Sequence, residues 1–300
     1  MQKIIPHLWF DKEAKEAADF YTSIFPNTKI NYTIMLNNTP GGDAEIVGFE
    51  VFDYRIDAIS AGPMFKLNPS NSFMINFDPK QIENAEEKLR EIWKKLSENG
   101  KALMPLDEYP FSKLYGWIED NYGVSWQLIL SNPDGEERPI IIPSFLFVQE
   151  NYGKAEEASE YYISVFNDSK RGTISRYPAG TEPDIEGTIN YTDFKLAGQW
   201  FASMDSNYNH EFKFNEAFSF IVNCESQEEI DYYWEKLSAV PDSDQCGWVK
   251  DKFNVSWQIV PTVLNDMMLN ATPEQMTSLT QAVLGMKKLN IKELEKAYNI

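Results

Sequence analysis

The stretch GWIEDNYGVSWQ, Gly116 to Gln127, is written again as GWVKDKFNVSWQ from Gly247 to Gln258. Seven of the twelve positions agree: Gly, Trp, Asp, Val, Ser, Trp and Gln. Two tryptophans at one spacing, found twice, point to a duplication. Other stretches repeat in the same order. Ile4-Ile5-Pro6 returns as Ile141-Ile142-Pro143, and YTSIF from Tyr21 returns as YISVF from Tyr162. Ser72-Phe73 returns as Ser219-Phe220, and Trp93 with Leu96 returns as Trp234 with Leu237. The offset drifts through 137, 141, 147, 141 and 131 residues, as it does when loops gain and lose residues after a domain is duplicated.

Each copy mixes two periodicities. Ile4 to Phe10 reads as a strand. Ala14, Ala17, Ala18, Tyr21, Ile24 and Phe25 follow the three-and-four spacing of one buried helix face, and Pro26-Asn27 ends that helix. Ala155, Ala158, Tyr162, Val165 and Phe166 repeat the stripe in copy two. Three short strands are predicted near 29–36, 45–53 and 56–62. The pattern then restarts with a strand at 72–77, a helix at about 81–98, and strands near 101–106, 113–119 and 124–130. Each copy therefore reads as strand-helix-strand-strand-strand, written twice. The boundaries are 1–131 for the first copy, 132–138 for the linker, 139–261 for the second copy and 262–300 for a tail. The linker lies within SNPDGEERP, a turn-rich and charged stretch. The tail is helical: Thr272-Pro273-Glu274-Gln275 is a capping box, and Asn290 with Glu293 starts another helix.

Composition narrows the function. Of the 300 residues, 43% are hydrophobic and 14% aromatic, ample for packed cores. The net charge of −19 repels phosphate backbones and anionic lipid surfaces, so neither nucleic acid nor membrane is expected as a partner. Two cysteines, Cys224 and Cys246, are too few for a disulfide framework and fit a reducing cytoplasm. The opening MQKIIPHLWFDKEAKEA lacks the apolar core of a signal peptide.

Paired βαβββ units, a PHLWFD opening, an FYTSIF first helix and the GW-x-x-D-x-x-x-VSWQ ending resemble the PhnB-like branch of the vicinal oxygen chelate superfamily. That superfamily holds glyoxalase I, bleomycin-resistance proteins and extradiol dioxygenases. The branch carries the label 3-demethylubiquinone-9 3-methyltransferase. The resemblance covers both copies, and MKKLNIKELEKAY in the tail resembles the ends of longer members. It implies an α+β fold of tandem glyoxalase-like domains. Each domain would be a cupped mixed sheet of paired βαβββ units around a cavity, followed by the helical tail.

In catalytic relatives four side chains inside the cup hold a divalent metal. The resemblance places these positions at His7, Ser60, Ser72 and Gln127 in copy one. In copy two it places them at Ser144, Ser203, Ser219 and Gln258. Hydroxyls and amides are poor ligands for zinc, nickel or iron, and the chain has two histidines in all, His7 and His210. No metal and no cofactor are therefore expected. Neither copy shows a strand running through a glycine-rich turn into a helix, which counts against a methyltransferase.

The same eight residues, with Trp117, are the candidate ligand-binding set. Read as a strand, Val124, Trp126 and Leu128 share one face and pack against a helix, while Ser125 and Gln127 face the cavity. Asp120 and Asp251 precede turns and read as turn caps. Phe49, Phe73, Phe77, Tyr115 and Trp117 are candidates for an aromatic cup lining. His7 and Cys246 are the candidate catalytic groups, although no basic cluster flanks Cys246 to lower its pKa. The leading reading is a cytoplasmic protein that binds a small, partly apolar molecule without a metal. The alternatives are a lyase or isomerase, metal-dependent or metal-free, and a structural or interaction module. The two domains are expected to pair internally, with a homodimer left open.

Overall fold

The computed structural model describes residues 2–39 and 41–300. Copy one opens with β1 (Ile4–Phe10), α1 (Ala14–Ile24), β2 (Lys29–Thr39), β3 (Gly42–Val51) and β4 (Tyr54–Ser60). Its second half is β5 (Asn71–Phe77), α2 (Ala85–Leu96), β6 (Lys101–Tyr109), β7 (Ser112–Glu119) and β8 (Ser125–Leu130). Copy two opens with β9 (Ile141–Phe147), α3 (Ala155–Val165), β10 (Lys170–Arg176), β11 (Ile189–Leu196) and β12 (Gln199–Asp205). It continues with β13 (Phe218–Cys224), α4 (Gln227–Leu237), β14 (Trp248–Lys250) and β15 (Ser256–Pro261). The tail is α5 (Thr262–Asn270), α6 (Pro273–Leu284) and α7 (Ile291–Tyr298).

The expected βαβββ pattern holds for three halves and fails in the fourth. Where copy one has β6, copy two has a 3-10 turn at Pro241–Ser243. Proline has no N–H for a sheet ladder, so this stretch does not extend as a strand. Helix α2 also starts later than predicted, because Asn84 takes a left-handed conformation (φ 55°) just before it.

The sheets do not follow the copies. One sheet runs β14-β15-β13-β1-β4-β3-β2, the other β10-β11-β12-β9-β5-β8-β7-β6. β1 lies antiparallel to β13, with His7 opposite Ser219, and β5 lies antiparallel to β9, with Ser72 opposite Ser144. The expectation that each copy closes its own sheet is thus corrected. The copies run one after the other in sequence, but each sheet takes one half from each. The compact units are residues 1–23, 27–67 and 214–300 (unit 1) and residues 24–26 and 68–213 (unit 2). The link between β4 and β5 carries Gly62-Pro63 and Asn68-Pro69, which keep it irregular and let β5 leave its own half.

In both units the helices cover one face of the sheet. Tyr21 of α1 stacks on Phe49, their ring centres 5.9 Å apart. Phe73, Phe77 and Phe49 belong to this helix-facing core, not to the cup lining predicted for them. The tail belongs to unit 1. Thr272 and Gln275 form the foreseen capping box, and the Asn290 side chain accepts from the Glu293 N–H. Leu264, Met267, Leu279, Leu289 and Leu294 give the tail its own buried cluster, packed against Val260 of β15. Leu279 and Leu294 are essentially fully buried, each contributing about 1.5–3 kcal/mol by the area rule. The N–H groups of Cys246 and Gly247 donate to Met286 and Lys287 carbonyls at 2.8 Å. The tail backbone so satisfies part of the edge left by the missing strand.

Candidate functional site

The repeated phrase is explained first by its aspartates. Asp120 Oδ1 accepts from the N–H groups of Tyr122 (2.8 Å) and Val124 (3.0 Å), and Oδ2 accepts from Trp126 Nε1 at 2.8 Å. Asp251 does the same with Phe253 (2.8 Å), Val255 (3.0 Å) and Trp257 Nε1 (2.9 Å). Each aspartate closes a turn and satisfies the one polar atom of a buried indole. Trp126 packs on Phe25 and Phe73, and Trp257 packs on Phe220. The two aspartates and the two buried tryptophans mark the fold.

The serine and glutamine of the phrase lie on the opposite face, inside the cups. In unit 2, Gln127 Nε2 donates to Ser72 Oγ (2.8 Å), and Tyr115 donates its hydroxyl to Gln127 Oε1 (2.7 Å). Trp117 Nε1 donates to Ser125 Oγ at 2.7 Å. Burial raises the Tyr115 pKa, so the phenol stays a donor. Every side-chain partner here comes from the same wall, which makes a closed network. Ser144 Oγ is the exception: it is buried without a partner among the described residues.

Unit 1 holds the counterparts in another arrangement. Gln258 Nε2 donates to Ser219 Oγ at 3.0 Å, as Gln127 does to Ser72. Cys246 stands at the sequence position of Tyr115, and no phenol donates to Gln258 Oε1 among the described residues. Trp248 stands at the position of Trp117 but does not bond to Ser256. Its ring meets the edge of His7 (5.8 Å) and lies 6.5 Å from Trp9. Trp9 in turn meets Phe65 at 5.2 Å and donates Nε1 to the Gly62 carbonyl at 2.7 Å. Ser256 Oγ is left buried without a partner among the described residues. Trp9, Trp248 and Phe65 are all half-buried.

His7 sits opposite Ser219 with Nδ1 3.5 Å from Ser219 Oγ, a long contact. Burial alone lowers its pKa to about 3, so the ring is neutral at neutral pH. The adjacent β4 places Asp57 beside His7. Asp57 is buried and fully engaged: Arg55 donates Nε to Oδ1 and Nη2 to Oδ2, both at 2.9 Å, and Tyr32 donates its hydroxyl to Oδ2 at 2.8 Å. Burial works against the Arg55 charge, yet the Asp57 contacts outweigh it and raise the guanidinium pKa. The Tyr32 pKa is raised by burial and by the Asp57 charge.

Two predicted positions lie elsewhere. Ser60 faces α1 and accepts from the Ala14 N–H at 3.0 Å. Ser203 faces α3 and donates to the Ala155 carbonyl at 3.3 Å. The registers also change their pairing. Phe10 lies opposite Ser60 and Phe147 opposite Asp205, so the counterpart of Ser60 is Asp205. Asp205 accepts from the N–H groups of Gly153, Ala155 and Ile189, which closes the start of α3. The cup-facing residue of β4 is Asp57, and that of β12 is Ala202, opposite Ser144. The alternation of β4 held this signal, since Arg55, Asp57 and Ile59 share a face with neither Ser60 nor Ala58. Cys246 lies on the turn before β14, with φ 53°. No hydrogen bond joins its thiol to His7 or Gln258 among the described residues, and burial raises its pKa.

The four cup positions are therefore His7, Asp57, Ser219 and Gln258 in unit 1. In unit 2 they are Ser144, Ala202, Ser72 and Gln127. Neither set fits a divalent metal. Unit 1 offers one imidazole, and its one carboxylate is already bound by Arg55 and Tyr32; the other donors are a hydroxyl and an amide. Among the described residues no three His, Cys, Asp or Glu side chains gather in a metal-binding group.

Unit 2 fills its cup differently. Met74, Ile142 and Ala202 form a buried cluster with Ile129, Tyr191 and Trp200 packed against it. Arg138, the last linker residue, lies 4.1 Å over the Trp200 ring and donates Nε to buried Asp193 at 2.7 Å. Two open clefts lie outside both cups. One of about 650 Å³ is lined by Ala179–Glu186, and one of about 360 Å³ by Gln281, Gly285, Met286, Glu293 and Lys296 among others. Both clefts are open to solvent, and Asp184, the buried polar side chain in their lining, already accepts from the Asn207 N–H, so the cup of unit 1 is the candidate site.

Two mixed sheets built from βαβββ halves define a protein of the vicinal oxygen chelate fold class. The model of the 3-demethylubiquinone-9 3-methyltransferase family matches residues 2–129 and again 139–260, and the chain belongs to that family, the PhnB-like branch of the class. A PhnB protein from Bacillus cereus, whose description carries the same methyltransferase name, is 35% identical. The match covers 43% of this chain and all of that one, with a TM-score of 0.39. Glyoxalase I from Zea mays is 10% identical over 78% of each chain, with a TM-score of 0.47. A Bacillus subtilis protein described as a dioxygenase is 10% identical over 97% of this chain and 94% of that one, with a TM-score of 0.48. No curated protein matches the chain. No described helix is long and apolar enough to cross a membrane.

Proposed function

We propose that the chain binds one small, partly apolar molecule in the cup of unit 1, without a divalent metal. The observation that supports this reading is the contrast between the cups. The same polar positions are closed by Tyr115 and Trp117 in unit 2. In unit 1 Cys246 and the turned Trp248 leave them without those partners. Buried polar groups without partners are costly, and a site shaped for a ligand is where they are tolerated. The half-buried wall of Trp9, Phe65 and Trp248 suits an apolar or aromatic body. The partner in this reading is a small molecule in the cytoplasm, and each cup is complete within one chain, so a homodimer is not required.

Acid–base catalysis is the weaker reading. A histidine with its pKa near 3 is a poor general base at neutral pH. The methyltransferase name also lacks support, because the N-termini of α1 and α3 are occupied by Ser60 and Asp205. The test is amide NMR with a fragment library. Shifts should cluster at Trp248, Ser256 and Gln258. Shifts confined to their counterparts Trp117, Ser125 and Gln127 would place the binding site in the other cup and overturn the reading.

A further inference from the structure

We propose that the ligand of the unit 1 cup is a neutral, flat molecule that presents a hydrogen-bond acceptor and an N–H or O–H donor side by side, as a carboxamide or lactam does. The proposal rests on the binding reading above and adds the chemistry of the ligand. It follows from counting donors and acceptors on the cup floor. Ser219 Oγ accepts from Gln258 Nε2, and its own proton is assigned to the 3.5 Å contact with His7 Nδ1, which selects one tautomer of the ring. A neutral imidazole whose Nδ1 accepts carries its proton on Nε2. His7 Nε2–H is then a donor, and it has no partner among the described residues. Gln258 Oε1 is an acceptor in the same position, since its amide is oriented by the bond to Ser219 and no phenol donates to it among the described residues. Ser256 Oγ can take either role and has no partner among the described residues.

One donor, one acceptor and one adaptable hydroxyl match the two edges of an amide. A carboxylate would accept from His7 but set a negative charge against Gln258 Oε1. The neighbouring Arg55 is already neutralised by Asp57. A cation would find no unpaired carboxylate, because both Asp57 oxygens are engaged. The flat body follows from the edges and faces of Trp9 and Trp248, which offer π contacts of low entropic cost.

The experiment is calorimetric titration of the full chain with benzamide, benzoate and N,N-dimethylbenzamide at neutral pH. A site with buried groups to satisfy discriminates strongly against an analogue that cannot satisfy them. Benzamide should bind at least about tenfold more tightly than the other two. Nuclear Overhauser contacts from the benzamide ring to the His7 imidazole should locate it, a test made simple by a chain with two histidines. In Gln258→Leu the preference for benzamide over its dimethyl derivative should vanish. Benzoate binding most tightly, or the dimethyl derivative binding as well as benzamide, overturns the ligand class and leaves the binding reading standing. None of the three binding at millimolar concentration overturns both. Contacts to His210 in place of His7 overturn the proposed location.

Discussion

Lowering the pH tests the burial of His7 quantitatively. The folded pKa is about 3 against 6.5 for the exposed ring, and burial is its cause. The folded value lies below the unfolded one, so the unfolded chain takes up the proton first. The stability tied to the neutral ring is whole above about pH 6.5 and drains away as pH falls toward 3. At about 1.4 kcal/mol per pKa unit the full difference is about 4–5 kcal/mol, and about 3 kcal/mol is already lost by about pH 4.5. Two proton NMR titrations report it, because only His7 and His210 contribute imidazole signals and His7→Gln assigns them. At pH 5.5 the His7 ring should be protonated in well under about 1% of molecules. Urea unfolding should show wild type losing about 2–3 kcal/mol more than His7→Gln between pH 7 and about pH 4.5. A His7 midpoint near 6.5, or equal losses in both proteins, would refute the claim that burial holds the ring neutral.

Asp120→Ala should cost about 3–5 kcal/mol in urea unfolding, since it orphans two backbone N–H groups and the Trp126 indole; Asp251→Ala should do the same in unit 1. A loss under about 1 kcal/mol for either would contradict the turn-and-anchor account. Arg138→Met should destabilise unit 2 by about 3–5 kcal/mol by leaving the buried Asp193 charge without its counter-ion, read by hydrogen exchange of β11. Unchanged protection there would mean that the linker arginine is not part of the unit 2 core. Burial raises the Cys246 thiol and pushes Cys224 up to about 12, so both should react slowly with iodoacetamide at neutral pH. Rapid alkylation of Cys246 would reopen its candidacy as a nucleophile.

Much of this was legible in the sequence because it depends on local chemistry. The capping box at Thr272, the helix stripe from Ala14 to Tyr21 and the turn-capping aspartates all follow from residues within a few positions of one another. The identity of the polar cup residues was legible too, since His7, Ser72, Gln127, Ser219 and Gln258 do face the cups. Their grouping was not. β5 and β13 are copies of one strand and present the same faces, so either is a suitable partner for β1; only the folded chain shows that β13 takes that place. Ser60 and Ser203 were misplaced because the alternation of a strand is unforgiving: a shift of one residue turns a cup residue toward the helix. Asp57 was missed for the same reason. The difference between Trp117 and Trp248 is a matter of side-chain direction, which identical residues at matched positions do not disclose.

The central claim is that one chain carries one metal-free small-molecule site, in unit 1. Native mass spectrometry of the full 34.6 kDa chain, purified without chelator and titrated with benzamide, addresses it most directly. The account predicts one ligand mass per chain and no stoichiometric metal. One equivalent of zinc, nickel or iron per chain, lost in His7→Gln, or two ligand masses filling together, would contradict it.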